Sequence, residues 1–172
     1  MYRQLSLFEL PYTEPAFQEP SATTATVIEL FAGAGGLALG LEKAGLGAKA
    51  LIEIDKDAVA TLRHNRPEWN VIHDDISKVS FEGMSADIVT GGFPCQPFSY
   101  AGKSLGFEDT RGTLFYEFAR CIKQVQPKLF LAENVKGLIN HQKGKTLKTV
   151  LSVLESLGYN IQYSLLNAVN YD

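Results

Sequence analysis

Apolar and polar positions along this 172-residue chain follow two alternating periods. Short runs dense in β-branched and apolar residues predict strands at Thr26–Phe31, Ala48–Asp55, Asn70–Asp74, Ala86–Thr90, Lys128–Glu133 and Asn160–Leu166. Stretches with three-to-four-residue apolar spacing predict helices at Leu37–Ala44, Lys56–Asn65, Leu114–Val125 and Thr146–Leu157. Gly45 and Gly158 close two of these helices, and Pro67 stops a third. Strand alternating with helix is the signature of an α/β fold, a doubly wound, mostly parallel sheet.

Residues 1–23 depart from the pattern. Pro11, Pro15 and Pro20 break them up, and Ser21-Ala22-Thr23-Thr24 reads as a joint, so a flexible extension precedes one domain at 24–172. Inside the extension, Gln4-Leu5-Ser6-Leu7-Phe8 resembles the short peptides that dock on the bacterial sliding clamp, with Leu7 and Phe8 as apolar plugs. No apolar run approaches the ~20 residues needed to cross a bilayer, and no basic-then-apolar leader opens the chain, so a cytoplasmic protein is expected. The two cysteines, Cys95 and Cys121, lack metal-ligand spacing, so no metal site is expected. Cys121 falls inside a predicted amphipathic helix, a core position. A net charge of −3 argues against general polyanion binding. Between Ser99 and Lys148, however, nine lysines and arginines face four acids, which suits either solvated helix faces or a surface that meets phosphates.

Candidate chemistry collects where predicted strands end. The first runs into Ala32-Gly33-Ala34-Gly35-Gly36 and then a helix, the strand–glycine turn–helix arrangement that lets backbone approach a nucleotide and offers free N–H groups to it. Glu53, twenty positions beyond Gly33, is placed to accept from a ribose. Asp75 follows the third strand and suits either an adenine amino group, with Ile76 against the ring, or a cap before Ser77. After the fourth strand, Gly91-Gly92-Phe93-Pro94-Cys95-Gln96-Pro97 forbids further strand or helix and holds a cysteine on a stiff loop. From the loop alone Cys95 is equally an inert buried thiol or a reactive one. The breaker-rich stretch to Thr113 is long for a compact domain, which favours a functional loop. Glu133, at the end of the fifth strand, faces either Cys95 or a nearby lysine.

Taken in order, these blocks resemble the DNA cytosine-5 methyltransferases of bacterial modification systems. Phe31-Ala-Gly-Ala-Gly-Gly36 is similar to their cofactor glycine motif, Gly92-Phe93-Pro94-Cys95-Gln96 to the catalytic Pro-Cys motif, Gly106–Leu114 to the DNA-facing loop, and Glu133-Asn134-Val135 to the family's Glu-Asn-Val. The resemblance implies the S-adenosylmethionine-dependent methyltransferase fold, with Phe31, Gly33, Gly35, Gly36, Leu37, Glu53, Ile54, Asp75, Ile76, Gly92, Pro94 and Leu114 around S-adenosyl-L-methionine. It implies Cys95 as nucleophile, Glu133, Asn134 and Pro94 beside it, and Gln96, Ser99, Lys103 and Arg111 on double-stranded DNA.

The implied chemistry explains the residues. A thiolate adding at carbon 6 of cytosine makes carbon 5 electron-rich, and an acid at Glu133 carrying a proton would donate to N3. The base must leave the duplex for this. The family's arginine-containing motif, later strands and target-recognition domain have no counterpart here. The sheet is therefore expected to be incomplete at its C-terminal edge, the isolated chain to be inactive, and the open edge to take a complementing subunit or form a homodimer. Two rival readings remain: a nicotinamide-dependent oxidoreductase, resting on the glycine turn and Glu53, and a non-catalytic partner-binding module.

Overall fold

A computed structural model describes residues 25–94 and 114–171. Five strands, β1 (Thr26–Leu30), β2 (Gly47–Glu53), β3 (Val71–His73), β4 (Ile88–Gly91) and β5 (Leu129–Ala132), form one parallel sheet in the order β3-β2-β1-β4-β5. Helices α1 (Gly36–Lys43), α2 (Lys56–Asn65), α3 (Leu114–Val125), α4 (Gly137–Asn140) and α5 (Lys145–Ser156) accompany it, with short 3-10 turns at Ile76–Lys78, His141–Gly144 and Ala168–Tyr171. Winding proceeds outward from β1 in one direction and from β4 in the other. The crevice of such a sheet opens at the carboxyl ends of those two strands. The doubly wound fold is as expected.

Strand alternation sends side chains to two cores. Ile28, Leu30, Ile52 and Val89 face Phe118, Ile122, Val150 and Leu154 from α3 and α5. On the other face Leu51 and Val71 meet Ala38 of α1 and Val59 and Leu62 of α2. Cys121 lies in the first core, its thiol pushed up to about 12 by burial, so it is a small apolar filler with no nucleophilic form near neutrality. Arg120 links α3 to the turn after β3. It donates to the carbonyls of Ile76 at 2.8 Å and Val79 at 3.0 Å and sits 4.8 Å over the Phe81 ring. At the amino ends of the strands Asp87 accepts from Thr26 N–H, Thr26 Oγ1 and Lys128 Nζ at 2.7–3.0 Å, which holds its carboxyl well below the usual range. One side chain thus ties together the starts of β1, β4 and β5. Among the described residues no helix is long and apolar enough to cross a membrane, and no cluster of His, Cys, Asp and Glu suits a metal ion.

One expectation fails. Asn160–Leu166 is not a strand. Backbone groups form a strand only against a ladder partner. Across from this segment stands the outer edge of β5, with a groove between the two, so the segment stays irregular despite its β-branched and aromatic content. Helix α4 and the turn after it are an addition to the expected elements; four residues are too few to show a period.

Glu29 on β1 is 3% exposed. α1 has no side-chain cap of its own. Glu29 accepts from the N–H of Ala38 in the first turn of that helix, while its Oε2 has no partner. Burial pushes the carboxyl up to about 7. Its native value lies above the unfolded one, so the stabilising protonated form is complete below about pH 4.5 and is lost as pH rises through 7. The loss is about 3 kcal/mol. Melting temperature should therefore fall by several degrees between pH 5 and pH 8 in wild type and stay nearly flat in Glu29→Gln, as differential scanning fluorimetry would read. An equal pH slope in both proteins would remove Glu29 from this role.

Candidate active site at the carboxyl ends of the strands

Beyond β1 the chain makes a turn that few sequences tolerate. Phe31, Gly33 and Gly35 all have positive φ, at 58°, 54° and 90°. For a bulky residue such as Phe31 this backbone is strained, and such strain gathers at functional sites. Gly35 is also sterically required: an added Cβ would lie 2.6 Å from Leu62 Cδ2 and 3.3 Å from the Trp69 ring. Around Gly33 and Gly36 an added Cβ would meet nothing within 4 Å, so the turn leaves open space on its outer side.

Glu53, at the end of β2, holds this turn in place. Its Oε2 accepts from Gly33 N–H at 2.7 Å, and its Oε1 accepts from the N–H groups of Ile54 and Asp55 at 2.9 and 2.8 Å. A carboxylate has about four acceptor positions, so three backbone donors leave one for a ligand. The adjacent Ile54 is 63% exposed, whereas the preceding residues Ala50–Glu53 are all buried. The end of β3 is drawn in by Asp74 N–H to Glu53 O at 3.2 Å and by His73 Nε2 against Ile54 O at 3.1 Å.

Asp75 caps the following turn, its Oδ1 accepting from Ser77 N–H at 2.9 Å and Ser77 Oγ at 2.8 Å. These bonds, the backbone one first, lower its carboxyl below the ordinary value. The capping reading of Asp75 is the one the geometry contains. Ile76 is buried in the larger core, with its side chain under the site and not on its surface. Gly36 is exposed and Leu37 half-buried at the start of α1.

The second half of the site joins β4 to β5. Glu133 N–H donates to Gly91 O at 3.1 Å, extending the ladder one residue past the end of β5. Gly92 then leaves room for the Glu133 carboxylate: an added Cβ would fall 2.8 Å from its Oε2. Asn134 Nδ2 donates to Phe93 O at 2.7 Å, while Asn134 Oδ1 accepts from Val135 N–H at 2.9 Å. Phe93 is buried against the rings of Phe115 and Phe118, with centroids 5.2 and 5.5 Å away. Pro94 is exposed, and Leu114 opens α3. Asn134 and the aromatic pair thus anchor the backbone that leads into Cys95. Cys95, Gln96, Ser99, Lys103 and Arg111 lie outside the described residues, as does Gln4–Phe8.

All these groups share one end of the sheet: the glycine turn, Glu53, Ile54 and Asp75 on one side, Gly92, Pro94, Glu133 and Asn134 on the other. Comparison with known proteins decides what the arrangement belongs to. The sequence model of the C-5 cytosine-specific DNA methylases matches residues 25–172. The chain belongs to that family. It is 59% identical over 149 residues to the type II methyltransferase M.Eco47II of Escherichia coli, a match covering 85% of this chain and 36% of that protein. Among solved structures it resembles one described as a prophage-encoded DNA modification methyltransferase of Escherichia coli, at 32% identity and a TM-score of 0.62 over 77% of this chain and 38% of that one. It also resembles the Dnmt2 methyltransferase of S. pombe, at 26% identity and a TM-score of 0.59 over 79% and 41%. The chain spans between about a third and a half of the length of the curated relatives it matches.

Two residues to which the sequence assigned no role of their own help to build the site: Glu29, which accepts from the first turn of α1, and Phe93, whose ring anchors the second half. Phe93 had a visible signal, a lone aromatic between two glycines and a proline; Glu29 had none. The steric roles separate neighbouring glycines. Gly35→Ala should destabilise the fold by about 1–3 kcal/mol through overpacking against Leu62 and Trp69. Gly36→Ala, with open space around it, should stay within about 0.5 kcal/mol of wild type. Urea unfolding of both variants checks this; equal stabilities would contradict the tight packing of the turn at Gly35.

Proposed function

We propose that this chain forms the cofactor-binding and catalytic portion of a DNA cytosine-5 methyltransferase of the restriction-modification type. The observation that carries the reading is the contact of Gly92 and Phe93 with Glu133 and Asn134. It brings the Glu-Asn-Val block against the backbone that runs directly into Pro94-Cys95.

The site's features fit S-adenosyl-L-methionine. The turn from Phe31 to Leu37 has open space at Gly33 and Gly36, Glu53 keeps an acceptor position for a ribose hydroxyl, and exposed Ile54 offers an apolar face to an adenine ring. Asp75 and the backbone of Ile76 border the adenine end, and Gly92, Pro94 and Leu114 the opposite end. When bound, the cofactor supplies an electrophilic methyl group. Cys95, as thiolate, adds to carbon 6 of a cytosine turned out of double-stranded DNA, which makes carbon 5 nucleophilic. Glu133 accepts from the exocyclic amine and, when protonated, donates to N3 as negative charge builds on the ring. Asn134 positions both by fixing the Phe93 carbonyl. Once carbon 5 carries the methyl group, loss of its proton to solvent restores the ring double bond and breaks the carbon 6–sulfur bond, releasing Cys95 as thiolate. Gln96, Ser99, Lys103 and Arg111 hold the phosphates flanking the displaced base.

The match leaves about two thirds of the Escherichia coli relative without a counterpart, and the family resemblance implies a portion that reads DNA sequence there, so the chain alone is read as inactive on DNA. The Gln4–Phe8 peptide is read as a docking element for the sliding clamp, consistent with a cytoplasmic, DNA-associated protein. The cofactor assignment is tested by thermal shift. S-Adenosylmethionine should raise the melting temperature of the chain and NAD should not, and Glu53→Ala should abolish the response. Stabilisation by NAD in place of S-adenosylmethionine would point to the oxidoreductase reading.

A further inference from the structure

We infer that the exposed surface built by α4, the turn after it and the start of α5 is a second contact surface for double-stranded DNA, one that grips phosphates and reads no bases. Its occupant follows from the proposed function; its location rests on charge and topology alone.

Between Asn134 and Leu154 the chain carries four lysines, Lys136, Lys143, Lys145 and Lys148, and no acid. The whole chain has 19 acids against 16 lysines and arginines, so this stretch reverses the prevailing charge. All four lysines are exposed, and none makes an ion pair with another described residue. A solvated helix face gains from an acid three or four positions from each lysine, and here there is none. A polyanion relieves the repulsion left behind.

The backbone gathers these charges at one end of the sheet. β5 delivers Glu133 and then α4 at the carboxyl ends of the strands, so Lys136 stands three residues past the acid of the site. α5 runs back the other way: just beyond it the Tyr159 hydroxyl donates to Pro127 O at 2.6 Å, at the amino end of β5. The start of α5, with Lys145 and Lys148, therefore shares the end of the sheet that holds Glu133. Between the two helices Gln142 and Lys143 have positive φ, 49° and 58°, followed by Gly144 at 82°. Non-glycine residues in that region make a strained turn, and such strain gathers at functional sites. The base under the turn is firm. Leu138, Thr146 and Val150 are buried, and His141 Nδ1 lies 2.6 Å from Thr146 Oγ1.

Composition selects the duplex backbone as the partner. The stretch has no Phe, Tyr or Trp on which an unpaired base could stack, and no arginine to form a bidentate pair with a guanine edge. Lysine ammonium groups act as point charges toward phosphate. A duplex whose target base enters beside Glu133 carries its flanking phosphates toward this surface.

The test is fluorescence anisotropy of the 172-residue chain with two duplexes of unrelated sequence, over a salt series and without cofactor. Wild type should bind both duplexes alike. Lys136→Gln/Lys143→Gln/Lys145→Gln/Lys148→Gln should weaken binding at least about tenfold at low salt. It should also flatten the slope of log affinity against log salt by about 3, since each phosphate contact contributes about 0.9. Lys43→Gln/Lys49→Gln, at the amino end of the sheet, should leave the slope unchanged. The fourfold variant should melt as wild type does and keep its shift with S-adenosylmethionine. A lysine-dependent slope without any S-adenosylmethionine response would support the surface and count against the proposed function. Equal slopes in wild type and the fourfold variant would overturn the surface. So would absence of duplex binding by wild type, binding of one sequence only, or lysine-dependent binding that favours single strands or anionic vesicles over duplex DNA.

Discussion

The structure depends on how β4 and β5 end. Gly91 accepts the last ladder bond from Glu133, Gly92 has no side chain to keep the Glu133 carboxylate away, and Asn134 holds the Phe93 carbonyl. Three consecutive positions on one strand end are matched to two consecutive residues on the other, through one backbone N–H and two side chains. The effect is to convert a parallel-strand register into a fixed relation between an acid and the start of the Pro-Cys loop. Register is hard to slip where both faces of a strand are buried. β4 meets that condition through Val89, Thr90 and Gly91, which makes it a rigid base for a site that tolerates little positional error.

The other half uses the same device in a different place. Glu53 gathers three backbone N–H groups from the turn after β1 and from its own strand end, and Glu29 supplies the missing cap of α1 from beneath. Both acids act on helix-start or turn N–H groups that have no intrahelical partner. A strained turn containing Phe31 at positive φ persists because these contacts over-determine it. The two halves meet at β1 and β4, neighbours in the sheet, so the crevice between them is a consequence of strand order.

Much of this was legible in the sequence. The end of α2 was readable because Pro67 stops it, whereas Asp55, read as the end of a strand, turns out to cap the helix start; the helical period of Leu114–Val125 is strong enough to bury seven of its residues on α3. The glycine turn, Glu53 and the Glu-Asn-Val block were readable because each sits where a strand pattern stops. Asp75 was readable as two things at once, and the geometry holds the cap. What failed did so for non-local reasons. Asn160–Leu166 has strand composition, but a strand exists only where another backbone receives it. Glu29 looks like one polar position inside an apolar run; its burial and raised carboxyl come from α1 lying over it, which no local window records.

The central claim is that the β4–β5 contact fixes Glu133 relative to the backbone that enters the Pro94-Cys95 step. Covalent capture measures it most directly: duplex DNA with 5-fluorocytosine at the target base, cofactor, and the chain assembled with the C-terminal segment of its relative, read by mass spectrometry of the adduct. The account predicts an adduct on Cys95 that Asn134→Ala reduces by at least about tenfold without weakening cofactor binding, because a small misplacement of reacting groups costs that much or more. Capture at a residue other than Cys95, or capture at Cys95 undiminished by Asn134→Ala, would contradict it.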